Sequence, residues 1–80
     1  MTLSLVWIAE DEHLLEVGEA QSIERLGQTL SVLSGVAWIS FDGLDLMVAA
    51  GEEIVLVPGL DAAVISPLEA QPLVYCLCSA

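Results

Sequence analysis

The sequence predicts an all-β domain, a small barrel or roll of short antiparallel strands, and three observations carry that reading. The six glycines fall in a nearly regular series at Gly18, Gly27, Gly35, Gly43, Gly51 and Gly59, and glycine reaches left-handed turn conformations without steric cost. The segments between them are short and carry β-branched residues, the pattern of strands separated by turns. Apolar positions also fail to recur at helical spacing between the glycines.

The elements follow in order. At the N-terminus, Leu3-Ser4-Leu5-Val6-Trp7-Ile8 alternates, with Leu5 and Trp7 on one face, and runs into the acidic turn Glu10-Asp11-Glu12. Residues 1–12 are therefore read as an N-terminal strand and acidic turn, and 13–78 as the β-barrel core of a single domain covering 1–80. Residues 9–17 leave two readings open. Ala9 to Glu16 contains good helix formers, while His13-Leu14-Leu15-Glu16-Val17 reads equally well as the first core strand. Strands are then expected over 29–33, 36–41, 44–48, 54–57, 62–65 and 73–78. Asp42-Gly43 between two of them is a strong tight-hairpin pair. A solenoid would repeat a core pattern as well as a turn, and the residues around each glycine differ.

Several strands are apolar on both faces. Along 36–41, Val36 and Trp38 share one side, and Ala37, Ile39 and Phe41 the other. The last strand sets Leu73, Tyr75 and Leu77 against Val74, Cys76 and Cys78. A single small sheet has one inside, so two-sided strands need a second cover, and another copy of the chain would supply it. A homo-oligomer is expected on that ground.

Composition excludes several functions. The chain has 80 residues, one Lys+Arg (Arg25) against twelve Asp+Glu, and a formal net charge of −11. Its 56% apolar content is too high for a disordered acidic tail. Nucleic-acid affinity rests on Lys and Arg displacing counterions, so no nucleic-acid partner is expected. An anionic membrane surface would repel the chain, and no apolar stretch approaches the roughly 18–20 residues that span a bilayer. Cys76 and Cys78, one residue apart, suit neither a mutual disulfide nor a secreted framework. The start lacks the basic region of a signal peptide, and a cytoplasmic location is expected.

The central residues carry a resemblance. Leu30-Ser31-Val32-Leu33-Ser34-Gly35-Val36-Ala37-Trp38-Ile39-Ser40 resembles the L-x-V-x-x-G-x-x-W-[IL]-[ST] core of a small bacterial family of unknown function with a cupin-like fold. Asp45 and Val48-Ala49-Ala50-Gly51-Glu52 are similar to that family's continuation, and the likeness covers about residues 13–66. The hairpin loop Phe41-Asp42-Gly43-Leu44 is shorter than the family's. Gly51 to Gly59 also resembles the first part of the second cupin motif, with Pro58-Gly59 as its turn. Leu60-Asp61-Ala62 follow where that motif has a histidine ligand, and no His-x-His pair stands after Trp38. The resemblance thus implies a cupin-like, jelly-roll-related barrel reduced in its metal-binding histidines, and it implies no cofactor.

Residues able to carry chemistry are few. His13, Cys76 and Cys78 are the nitrogen and sulfur candidates for a metal, and Cys76 with His13 the nucleophile candidate. Cys-x-Cys with one remote histidine matches no strong zinc spacing, so buried thiols and a surface imidazole are the plainer reading. Asp42-Gly43-Leu44-Asp45 offers two oxygen ligands where a calcium loop supplies five or six. Trp7, Trp38, Phe41 and Tyr75 are the whole aromatic set and the candidates for an interface or a pocket. The expectation is a non-catalytic protein-binding or assembly module without cofactors. The alternatives are a small-molecule sensor using the barrel interior, or a small metalloprotein or enzyme using His13, Cys76 and Cys78. Convergence of those three residues would separate the last from the rest.

Overall fold

Eight short strands, alternately apolar and polar, pair antiparallel into two four-stranded sheets. The computed structural model describes residues 12–78. The strands are β1 (Glu12–Leu15), β2 (Gln21–Ile23), β3 (Thr29–Ser34), β4 (Val36–Phe41), β5 (Leu44–Ala49), β6 (Glu53–Val55), β7 (Ala63–Pro67) and β8 (Leu73–Cys78). Sheet A runs β1-β8-β3-β6 and sheet B runs β2-β7-β4-β5. Every connection except the β4–β5 hairpin carries the chain from one sheet to the other. That is the logic of a jelly-roll-like sandwich, and it shows the all-β fold.

The core lies between the sheets. Leu15, Leu73, Tyr75, Leu30 and Val32 point inward from sheet A, and Ile23, Ala63, Ile65, Ala37, Ile39 and Val48 from sheet B. Leu56, just past β6, is also fully buried. The period-2 alternation of β4 puts Ala37 and Ile39 inside and leaves Trp38 outside.

Where two readings were open, residues 12–15 resolve as strand. Leu15 reaches the core only when β1 pairs with β8, setting Glu12 opposite Cys76, His13 opposite Tyr75 and Leu15 opposite Leu73. A helix here would break that ladder. The chain then turns at once, with the Glu19 amide donating to the Glu16 carbonyl (3.0 Å), so Glu16 and Val17 lie outside the strand. The N-terminal strand expected around Trp7 lies outside the described residues.

Three differences from the expected strands have physical reasons. Strand β2 was not expected, because Gln21-Ser22-Ile23 offers one β-branched residue; tertiary pairing with β7 makes it a strand. The strand expected over 54–57 stops at Val55, where the ladder with β3 becomes single bonds: the Leu56 amide donates to the Gln28 carbonyl (2.8 Å) and the Gly27 amide to the Leu56 carbonyl (2.9 Å). Strand β7 extends to Pro67, a tolerated position because Leu68, beyond it, supplies the next bond to the Val36 carbonyl (2.9 Å).

Two glycines position the rest. Gly35 alone separates β3 in sheet A from β4 in sheet B, at φ +83°. A β-carbon there would lie 2.7 Å from the Pro72 carbonyl oxygen, so both conformation and close approach require glycine. Gly59 departs from the expectation that all six glycines mark left-handed turns: the other five have positive φ and it does not. What it supplies is space, since a β-carbon on Gly59 would overlap the Arg25 guanidinium.

Candidate functional site

The β2–β3 loop separates two environments. On one side Arg25, the chain's single Lys or Arg, is only 4% exposed. Its Nε donates to the Asp61 carbonyl (2.7 Å), Nη1 to the Val57 carbonyl (3.3 Å) and Nη2 to Asp42 Oδ1 (3.0 Å). Its guanidinium carbon sits 4.8 Å from the centroid of the Phe41 ring. The planar fork thus ties the β2–β3 loop to the β4–β5 hairpin and to the segment between β6 and β7. Asp42 (φ +50°) and Gly43 (φ +74°) form a two-residue left-handed turn that aims the carboxylate at Arg25.

On the other side, Glu24, Leu26 and Gln28 border a cleft of about 360 Å³. Its sheet A wall is His13, Tyr75 and Leu77, and its sheet B wall is Gln21, Ser22 and Ile23. The His13 and Tyr75 rings stack, with centroids 5.1 Å apart and planes inclined by 20°. Burial pushes the Tyr75 phenol above its ordinary pKa. Gln28 frames the cleft, donating from Nε2 to the Glu24 carbonyl (2.6 Å) and accepting at Oε1 from the Leu26 amide (2.7 Å). The volume falls in the range of small-molecule sites.

A third feature lies outside the sandwich. Trp38 stands on the outer face of sheet B at 45% exposure, beside a hollow of about 290 Å³ that it lines with Ser40, Val64 and Ser66. Met47, opposite Trp38 in the β4–β5 register, is 73% exposed.

The sequence candidates separate accordingly. His13 faces the cleft with Tyr75, whereas Cys76 and Cys78 alternate onto the other face of β8. The three do not converge, and no group of three metal-capable side chains occurs among the described residues. A Cys76–His13 nucleophile pair is separated by the same alternation. Phe41 is half-buried under Arg25, and Tyr75 is a core residue at the cleft floor. Trp7 lies outside the described residues. The Arg25 clamp was missed from the sequence, although a lone cation in so acidic and apolar a chain is a signal for internal pairing.

The two antiparallel sheets make a small all-β sandwich. The structure is similar to the cupin-2 domain of an XRE-family transcriptional regulator from Enterobacter cloacae, with TM-score 0.69 and 12% identity over 86% of this chain and 78% of that one. It is also similar to a cupin protein from Bacteroides fragilis (TM-score 0.59, 21% identity, 82% of this chain and 59% of that one). A cupin-2 domain protein from Shewanella frigidimarina gives TM-score 0.53 and 17% identity over 82% and 69%. No protein-family model and no curated protein matches the chain. At these identities the likeness is one of fold. Among the described residues no helix is long and apolar enough to cross a membrane.

Proposed function

We propose that the chain is a non-catalytic protein-binding or assembly module that acts as a homo-oligomer, without a cofactor. The observation that supports this is the uncovered apolar surface outside both sheets. Trp38, Met47 and Val64 on sheet B, and Leu14, Leu33 and Val55 on sheet A, are all at least two-fifths exposed. Large exposed apolar patches mark interaction surfaces. The partner is not a nucleic acid in this reading, because the one Lys or Arg of the chain is buried and ion-paired. Light scattering on the purified chain tests it: a mass above 8.5 kDa at tens of micromolar, roughly the range where weak interfaces hold, is expected. A monomer throughout contradicts it.

The cleft favours a second reading, a small-molecule sensor. Its apolar floor and rim of His13, Gln21 and Glu24 suit a small ring-bearing ligand with polar edges. In a thermal-shift screen, a true ligand raises the Tm of the wild type and loses that effect in Leu26→Trp, which fills the cleft. Equal shifts in both proteins contradict the reading.

A further inference from the structure

We infer that the outer face of sheet B is a self-docking surface, on which Met47 of one protomer seats in the hollow beside Trp38 of its partner. The inference deepens the homo-oligomer reading and rests on it. Strand β4 lies between β7 and β5, so Trp38 has Ser66 as its register neighbour on one side and Met47 on the other. Ser66 and Ser40 are small, and with Val64 they leave the hollow next to the indole. Met47 is the reverse, a long flexible side chain standing out of the same face. Knob and hollow therefore flank one residue at equal offsets of one strand. A two-fold axis running along β4 sets Trp38 against its symmetry mate and carries each Met47 over the other protomer's Ser66. An isologous interface requires this self-complementarity, and methionine adapts readily to an irregular hollow.

Charge favours this face over the other. Outward positions of sheet A carry Glu12 on β1 and Glu53 on β6, on opposite edges of the sheet. Outward positions of sheet B are Ser22, Val64, Ser66, Val36, Trp38, Ser40, Met47, Ala49 and one carboxylate, Asp45, on the edge strand. Two chains of net charge −11 repel, and they approach most easily through the surface with fewest acids. Area sets the strength. The four strands, six residues long at β4 and β5 but three at β2, lie about 4.8 Å apart and present roughly 300 Å² per protomer, which places the contact among weak, reversible interfaces.

Sedimentation equilibrium of the full chain tests the inference with two variants of equal charge. Met47→Glu, on the docking face, is expected to raise the dimer Kd by about tenfold or more, as loss of a central contact does. Leu33→Glu, on the outer face of sheet A, is expected to leave it within about threefold. Met47 is so exposed in one protomer that circular dichroism of the variant should match the wild type, as should Tm measured below the dimer Kd, where association adds no stability. Dimerisation unchanged by Met47→Glu, or weakened equally by both variants, overturns the docking face while leaving the homo-oligomer reading intact. A wild type that stays monomeric overturns both.

Discussion

At the loop end of the sandwich, Arg25 reaches Asp42, Val57, Asp61 and Phe41 and is almost fully enclosed, while on the outer face of sheet B Trp38 and Met47 stand largely in solvent. Both regions hang on β4, whose far end supplies Phe41 to the clamp and whose middle supplies Trp38 to the face. The difference teaches how the chain distributes its few polar resources. Its single Lys or Arg is used inside the fold, so no lysine or arginine is left on the surface to balance the carboxylates. Changes at the loop end should therefore cost folding stability, and changes on the face should cost association.

Arg25→Ala should have the largest effect. It removes three hydrogen bonds, leaves the Val57 and Asp61 carbonyls without that donor and uncovers the face of the Phe41 ring on which the guanidinium sits, a loss of about 3 kcal/mol. Urea unfolding at fixed protein concentration measures it; a loss below about 1 kcal/mol would show the clamp to be ornamental. Gly59→Ala comes next, at about 2 kcal/mol, because the new methyl must displace the guanidinium. Combined with Arg25→Ala, the same substitution should cost almost nothing, and a double-mutant cycle that stays additive contradicts the steric account. Asp42→Asn should cost less than about 1 kcal/mol. Asparagine keeps the left-handed turn, and the lost charge pair is half-exposed on the Asp42 side.

The smallest effect belongs to Tyr75 and appears only in alkali. Burial raises its folded pKa above that of the unfolded chain, so the folded state holds the proton more tightly. That contribution is complete below about pH 10 and is lost as pH climbs through the folded value. Tyrosinate absorbance reports it cleanly, because Tyr75 is the only tyrosine. Titration at the unfolded value in the native protein would contradict its place in the core.

How far these regions were legible differs for physical reasons. The strands between glycines were readable because alternation and turn chemistry are local; that Ala37 and Ile39 share one face and Val36 and Trp38 the other follows from β4 alone, whereas which of two apolar faces is inside is set by the opposing sheet. Strand β2 was not, because Gln21-Ser22-Ile23 owes its conformation to β7, some forty residues on. The clamp joins residues 25, 42, 57, 59 and 61, brought together by sheet crossovers that no local pattern announces. Gly59 looked like one more turn and proves to be a space-maker. The separation of His13 from Cys76 and Cys78 depended on register, since shifting β1 by one residue against β8 would have put them on the same face.

The central claim, that apolar contact assembles a chain whose surface charge opposes assembly, is tested most directly by the salt dependence of the dimer Kd. Repulsion between two −11 chains reaches about 30 Å at 0.01 M ionic strength and about 8 Å at 0.15 M. Added sodium chloride should therefore tighten the dimer steadily across that range. A Kd that weakens with salt would mean that charge attraction holds the protomers together, and would contradict the account.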